Sequence, residues 1–320
     1  MKKIVILLLT IALAAFFLTR EVIPDSPDHP KPIRVGINPW PGYEFLFLAE
    51  KKGFFKEEGI EVKLVNFSSL EDVMSAFQRN QLDVMCSSFI EVLKAYDNTG
   101  VVGKIFYVPD YSSGADVIIS NKAKSLKELK GKTIAYEPNT LGAFMLSRAI
   151  KHADMQINEI NKYGINIVEM ESALKSGQVD AVISYEPYAS AILRNVEGSK
   201  VIFDSSMIPG EIVDTLAAEA KFYKKNKDRL NALSRAFSKA VEYSENHKDE
   251  AYAIMAEREG VSVEDFHHAM KSLRILKLSD QKDYLNTPKM HEVLASANML
   301  LLQNGEMKKD AAPVIFFDEK

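Results

Sequence analysis

The sequence predicts an α/β fold with two doubly wound lobes, which are joined by a two-segment hinge and followed by C-terminal helices. An eleven-residue pattern at 75–85 returns at 172–182, a constant offset of 97 residues. Strand-like and helix-like apolar patterns alternate from about residue 33 to 220, which indicates largely parallel sheets covered by helices. At 320 residues, 47% hydrophobic and 26% charged, the chain is long enough for two soluble domains.

Each copy of the repeat ends a helical pattern, turns and enters a short apolar strand. The copies read SAFQRNQLDVM and SALKSGQVDAV, and they turn at Asn80 and Gly177. Two copies of one helix–turn–strand unit indicate two similarly built lobes, and the cleft between such lobes is where small molecules bind. The alternative is a chance recurrence, because helix–turn–strand units are common.

The first 20 residues predict an export signal. Lys2 and Lys3 form a basic start, and the apolar run at 4–18 would span only about 22 Å as a helix, short of the roughly 30 Å of a bilayer core. The only small-x-small triplet, at 12–14, is a poor cleavage site, so an uncleaved anchor remains the alternative. Four prolines predict a stiff tether over 21–32. The expected location is periplasmic or otherwise extracytoplasmic.

The apolar patterns place the elements in order along the chain. Strands are predicted at 33–37, 60–67, 82–86, 103–108, 115–120, 132–136, 165–170, 180–184, 200–203 and 212–218. Helices are predicted at 45–52, 70–79, 89–96, 125–131, 141–152, 171–175 and 187–194. Gly53 is suited to end the first helix, Ser68 or Ser69 to cap the second, and Pro187 to begin the last.

Two connections lack a helical pattern and predict the hinge, at 110–115 and 210–215. We therefore expect 33–112 plus 216–320 to form lobe 1 and 113–215 to form lobe 2. Residues 221–308 contain only two glycines and one proline, with apolar residues spaced by three and four. This stretch predicts several helices packed on lobe 1.

Ligands of parallel sheets meet the loops just beyond the strand ends, and those loops carry the candidate binding residues. Trp40 and Tyr43 follow the first strand and could stack on a ligand, with local packing or interlobe contact of Trp40 as the alternative. We expect them to face Tyr185 and Glu186 from the other lobe. The remaining candidates are Ser68, Ser69, Ser87, Ser88, Asp110, Tyr111, Ser113, Asp116, Asn139, Thr140, Gly142 and Asp214. Plain helix capping is the alternative for the hydroxyl residues.

The sequence predicts neither an enzyme nor a resident cofactor or metal. The six histidines lack metal-ligand spacing, and no nucleophile elbow or Ser/His/Asp context is present. Cys86 lies in an apolar strand, which is more typical of a small buried hydrophobe than of a nucleophile. A net charge of −4 without a Lys/Arg block argues against nucleic acid as a partner.

The chain resembles the substrate-binding proteins of ATP-driven importers, the type 2 periplasmic binding proteins, and among them the sulfonate/nitrate/taurine and thiamine-pyrimidine-precursor binders. The segments that carry the resemblance are PWPGYE at 39–44, AEKKGFFKEEGIEV at 49–62, QLD at 81–83, DYSSGAD at 110–116, LKELKGK at 126–132, DAVISYEP at 180–187 and IPGEIVD at 208–214. It implies two lobes that close on a small molecule by hinge bending, with the permease of an ABC importer as partner. The lipidated Cys or clear cleavage site frequent in the family is not evident here, and the Cys-rich stretch of its eukaryotic pyrimidine-synthesising members is absent.

The candidate loops favour a neutral or amine-bearing ligand over an anionic one. They contain no Arg or Lys, and their carboxylates are Glu44, Asp110, Asp116, Glu137, Glu186 and Asp214. Helix N-termini could still bind an anion without a guanidinium group. Two other functions stay open: an enzyme on the same two-lobed fold, against which the export signal argues, and a ligand-sensing receptor module tethered to the membrane.

Overall fold

Two five-stranded sheets form the framework of the computed structural model, which describes residues 30–285 and 287–312. The predicted export signal and most of the predicted tether lie outside the described residues. Among the described helices, none is both long and apolar enough to cross a membrane.

Most strands and helices alternate as the sequence predicts, with shifts of one to three residues at many ends. The helix predicted at 125–131 is instead a short 3₁₀ helix at Leu126–Leu129. The strands are β1 (Ile33–Ile37), β2 (Val62–Asn66), β3 (Val84–Ser88), β4 (Gly103–Tyr107), β5 (Asp110–Ser112), β6 (Asp116–Ser120), β7 (Thr133–Tyr136), β8 (Asn161–Gly164), β9 (Ala181–Tyr185), β10 (Lys200–Asp204), β11 (Asp214–Glu219) and β12 (Leu273–Ile275). The α-helices are α1 (Glu44–Lys52), α2 (Phe54–Glu57), α3 (Leu70–Gln78), α4 (Phe89–Thr99), α5 (Leu141–His152), α6 (Met170–Lys175), α7 (Tyr188–Asn195), α8 (Ala220–Lys225), α9 (Lys227–Asn246), α10 (Lys248–Glu259), α11 (Val263–Lys271), α12 (Gln281–Leu285) and α13 (Pro288–Gln303).

Each sheet is the centre of one lobe, so the predicted fold class is confirmed. The first lobe is built on the strand order β2-β1-β3-β11-β4, and the second on β10-β6-β9-β7-β8. The repeat supplies the middle strand of each sheet, β3 and β9, and every residue of both strands is buried. The turns before these strands are equivalent too, since Asn80 and Gly177 have φ angles of 57° and 76°. Glycine and asparagine are the residues that most readily adopt this left-handed conformation.

The sheets are mixed, so the expectation of largely parallel pairing is wrong. β3 pairs in parallel with β1 but antiparallel with β11, and β9 pairs in parallel with β7 but antiparallel with β6. β6 and β11 run against their neighbours because the chain enters each through an extended crossing segment rather than a helical crossover.

A second correction concerns the strand predicted at 165–170. The segment contains a 3₁₀ turn at Ile167–Glu169, and the strand β8 precedes it. Asn166 caps this turn, accepting a hydrogen bond from the Val168 amide at 3.3 Å, while the Glu169 carboxylate accepts one from the Asn166 amide at 3.4 Å. The reciprocal capping favours the turn over the extended backbone that the apolar residues alone suggest.

The two crossing segments between the lobes run side by side. The Ser112 amide donates to the Ile212 carbonyl at 3.0 Å, and Tyr111 forms an antiparallel bridge with Val213. Neither segment contains a helix. The division of the chain at 112/113 and 215/216 stays a prediction.

The C-terminal helices pack mainly on the first lobe, as α9 does on α1, but α13 contacts both α4 of the first lobe and α5 of the second. The segment after α13 is also tied to both. The ammonium group of Lys162, in β8, pairs with Glu306 at 2.8 Å. Asp97 in α4 accepts from the amides of Lys308 and Lys309 at 2.9 and 2.8 Å.

Candidate functional site

Trp40 and Tyr43 bring aromatic rings from the first lobe to the second. The loop after β1 buries both, and the Trp40 indole N–H donates to Oδ1 of Asp110 at 3.2 Å, while the Tyr43 hydroxyl donates to Asp214. The Trp40 ring lies 6.1 Å from the ring of Tyr185, at the end of β9, with an edge-to-face angle of 74°. Trp40 therefore makes the interlobe contact that the sequence left open, next to the candidate polar residues.

The loop depends on a glycine beside Asp110. A Cβ atom on Gly42 would lie 2.0 Å from Oδ2 of Asp110 and 2.9 Å from the indole nitrogen of Trp40. No side chain fits at such distances, so Gly42 lets the loop approach the carboxylate.

Three aspartates in or directly after the crossing segments lie next to these rings. Asp110, Asp116 and Asp214 are 0%, 2% and 5% exposed, and each has one carboxylate oxygen without a hydrogen-bond partner among the described residues. Burial raises the pKa of all three, and the neighbouring carboxylates add to the rise. The negative charge of Asp110 contributes to the raised pKa of Asp214.

Two glutamates extend this set toward α5. Neither oxygen of Glu137, which follows β7, has a hydrogen-bond partner among the described residues, and burial followed by the charges of Glu91 and Glu71 raises its pKa to about 8. Glu91, in the first turn of α4, accepts from the Ser88 hydroxyl at 2.7 Å and from the Leu141 amide at 2.6 Å. Burial raises its pKa to about 7. We call Asp110, Asp116, Asp214, Glu91 and Glu137 the acid cluster.

The hydroxyl candidates act mainly as caps. Ser69, Ser88 and Thr140 are the N-caps of α3, α4 and α5, each accepting from an amide of its own helix. The Ser69 hydroxyl also accepts a hydrogen bond from the Asn166 amide group of the second lobe at 3.2 Å. Since Ser69 and Asn166 are 97 residues apart, the equivalent caps of the two lobes meet each other.

The other candidates lie at varying distance from the acid cluster. The Ser87 hydroxyl donates a hydrogen bond to the Ser88 carbonyl at 3.0 Å. Ser68 is exposed, and its carbonyl accepts a hydrogen bond from the Tyr188 hydroxyl. The Ser113 amide donates to the Ser272 carbonyl. Half-buried Asn139 has a φ of 62° and precedes α5, while a Cβ on Gly142 would lie 2.9 Å from the Glu137 carbonyl. Tyr111 stacks on Tyr284 at 5.7 Å and lines a cavity of about 350 Å³ with Pro209 and Met290.

Two predicted carboxylates already have partners. Glu44 is fully buried and forms an ion pair with the Arg258 guanidinium, whose Nε lies 2.8 Å from Oε2. Glu186 lies two residues before α7 and accepts hydrogen bonds from the hydroxyl and the amide of Ser190 in that helix, at 2.9 and 3.3 Å. The placement of Glu186 opposite Trp40 stays a prediction.

Sequence reasoning missed Glu91. A signal was present, because Ser88 and Glu91 have the Ser-x-x-Glu spacing of a capping box at the start of an apolar helix. Among the described residues, no group of three or more His, Cys, Asp or Glu side chains is arranged to hold a metal ion.

Comparison with known proteins identifies similar chains. A family model described as NMT1/THI5 like matches residues 40–251. The chain is 27% identical over 240 residues to the "Putative aliphatic sulfonates-binding protein" of Bacillus subtilis (strain 168), covering 71% of this chain and 70% of that protein. It is 23% identical over 229 residues to the 4-amino-5-hydroxymethyl-2-methylpyrimidine phosphate synthase THI13 of Saccharomyces cerevisiae, covering 64% of each. The crystal structure of the periplasmic aliphatic sulphonate binding protein SsuA from Escherichia coli matches with a TM-score of 0.74 at 17% identity, over 91% of this chain and 95% of that chain.

Proposed function

Because the chain belongs to the NMT1/THI5-like family, we propose that it is an extracytoplasmic solute-binding protein, which captures a small organic molecule between its lobes and delivers it to an ABC-type importer. The observation that carries this proposal is the set of unpartnered polar atoms buried between the lobes. Asp110, Asp116, Asp214, Glu137 and Tyr185 each contribute at least one such atom. Buried polar groups are costly unless they are hydrogen-bonded, and a ligand would supply the missing partners.

The contacts between the lobes support reversible closure. Arg194 of α7 and Asp265 of α11 form an ion pair at 3.0 Å across the two lobes, with side chains 52% and 33% exposed. The Tyr188 hydroxyl donates to the Ser68 carbonyl at 2.8 Å. Exposed ion pairs contribute little free energy, so such contacts can guide closure without making it permanent.

The environment of Cys86 argues against a catalytic thiol. Cys86 is fully buried in β3, and burial followed by the charges of Asp214 and Asp110 raises its pKa well above the ordinary value. The nucleophile in cysteine chemistry is the thiolate, which this environment disfavours. A binding role without turnover is therefore the better proposal, although three of the relatives are named synthases.

We expect a metabolite to raise the melting temperature of the purified protein without being converted. A ligand at 100 times its Kd stabilises by about 2.7 kcal/mol, which a thermal-shift screen detects readily. The stabilising compound is then incubated with the protein and recovered for mass spectrometry. Catalytic formation of a product would contradict the binding role, and a complete screen without any stabilising compound would contradict solute binding itself.

The proposed extracytoplasmic location rests on the basic start and the apolar run of residues 1–20. A fusion of residues 1–32 to alkaline phosphatase should give an active reporter, because this phosphatase requires export to form its disulfides. A matched fusion in which Leu7, Leu8 and Leu9 are replaced by Glu should be inactive. An inactive wild-type fusion would argue for the cytoplasm and against delivery to an importer.

A further inference from the structure

We infer that the cleft takes a small organic cation, and that Glu91 excludes anionic ligands by placing its own carboxylate at the N-terminus of α5. The inference rests on the proposed function, since it names the ligand class of the same cleft. It separates this chain from the relatives whose names refer to sulfonates, which are anions.

Glu91 crosses from one lobe to the other. It belongs to α4 of the first lobe, is fully buried, and its Oε1 accepts from the backbone amide of Leu141, the first residue of α5 in the second lobe, at 2.6 Å. The N-terminus of a helix is a natural anion-binding site, because its free amides and the helix dipole both favour negative charge. In this chain a side-chain carboxylate already provides that negative charge.

The neighbouring amides of α5 are also engaged. The amide of Gly142 donates to the Thr140 hydroxyl at 3.2 Å, and the amide of Ala143 donates to the Thr140 carbonyl at 3.1 Å. A ligand anion approaching α5 would therefore have to displace Glu91 or Thr140, and it would meet the negative charge of Glu91 at close range.

The rest of the acid cluster adds further buried carboxyl groups beside Glu91. Within the described chain, none of its five carboxylates forms a hydrogen bond or ion pair with a Lys or Arg side chain, and four of them keep at least one buried oxygen without a partner. Buried carboxylates without a counter-ion hold protons or bind a cation. The raised pKa values fit protonated carboxyl groups in the unliganded protein. A ligand with charged N–H groups would instead pair with the ionised carboxylates.

The chemistry around the cluster describes the cation further. The rings of Trp40 and Tyr185, 6.1 Å apart, offer apolar and π-electron surface directly beside Asp110. Aromatic faces attract cations, and carboxylate oxygens accept charge-assisted hydrogen bonds from N–H donors. The ligand class is therefore a small amine or amidine whose several N–H groups can meet two or more carboxylates.

The test is a titration calorimetry series with probes of matched shape and opposite charge. Benzamidine and phenethylamine represent the cations, and benzenesulfonate and benzoate the anions. We expect the wild-type protein to bind at least one cationic probe. The Kd values of the anionic probes should be higher than that of this cation by about 30-fold or more. Equal or tighter binding of an anionic probe would overturn the inference, and so would a failure of both cations to bind at millimolar concentration.

Variants of Glu91 test whether this residue excludes anionic ligands. Glu91→Ala should gain affinity for benzenesulfonate relative to wild type by about 10-fold or more, because the amide of Leu141 becomes free. Glu91→Gln keeps an oxygen for that amide and guards against a folding defect of the alanine variant; it should lower the ratio of cation to anion affinity by about 10-fold or more. The exposed Glu197→Gln should leave the ratio unchanged. An unchanged ratio in Glu91→Gln would show that Glu91 does not set the charge preference.

The thermal-shift screen distinguishes a failure of this inference on ligand charge from a failure of the proposed function. A metabolite that binds and is an anion would leave solute binding intact and overturn the inference on charge. The absence of any stabilising metabolite would instead contradict the proposed function.

Discussion

Asp116→Asn should weaken binding of a cationic probe by about 30- to 1,000-fold. Loss of one charged partner from a buried hydrogen-bonded pair costs about 2–4 kcal/mol of binding free energy. Asn preserves the shape of the side chain, and Asp116 is 2% exposed with a free Oδ2, so the effect reports charge rather than packing. Titration calorimetry with benzamidine measures it, and Asp228→Asn, at an exposed position of α9, is the matched control.

The same substitution should raise the melting temperature of the unliganded protein at about pH 8. Removal of an unpartnered buried carboxylate should raise the free energy of unfolding by about 1–2 kcal/mol. This corresponds to a rise in melting temperature of roughly 2–8 °C for a protein of this size. The folded-state pKa of Asp116 is raised, so its contribution to stability is present at acid pH and lost as pH rises. Glu91 and Glu137, with pKa values of about 7 and about 8, extend that loss to about pH 8. The advantage of the variant should therefore shrink at about pH 5; a lower melting temperature at both pH values would contradict this account.

Arg258→Gln should destabilise the protein strongly at about pH 8. Glu44 is fully buried, and the Arg258 guanidinium, which also lies 3.5 Å from the ring centre of Phe47, is its ion-pair partner. Removing one member of a buried pair leaves an uncompensated charge and costs about 3–5 kcal/mol, or roughly 6–20 °C in melting temperature.

The pH dependence of this variant distinguishes charge from packing. Burial raises the pKa of Glu44 to about 7 even with Arg258 present, so without Arg258 the carboxyl binds a proton more readily still. The decrease in melting temperature should therefore be smaller at about pH 5, where a bound proton neutralises Glu44. Lys130→Gln, which removes an exposed partner of Glu159, should change the melting temperature little at either pH. An equal loss for Arg258→Gln at both pH values would assign the effect to packing on Phe47.

The fold was predictable because its signal is local and occurs twice. Helix, left-handed turn and strand follow one another within about eleven residues around Asn80 and Gly177, and hydrophobic periodicity identifies such units. The sense of strand pairing was not predictable in the same way. β11 comes from far along the chain and lies beside β3 in an antiparallel register that only the crossing segments determine.

The residue types of the candidate site were predictable from the sequence, but the partners toward which some of the side chains turn were not. Sequence reasoning pointed to the loops that carry Trp40, Asp110, Asp116 and Asp214, because strand ends meet at one edge of a sheet. It could not tell that Glu44 turns to Arg258, 214 positions away. Glu91 escaped notice because a capping glutamate normally stays within its own helix, whereas here it also contacts an amide of the other lobe.

The position of α13 bears on how far and how easily the lobes separate. Opening must move α4 relative to α5, yet α13 touches both, and the following segment is bonded to Asp97 on one side and Lys162 on the other. Packed helices accommodate such motion by sliding a small distance against each other. Under the proposed function, we therefore expect opening to combine bending of the crossing strands with shear along α13, so that the contacts of α13 also restrain the motion.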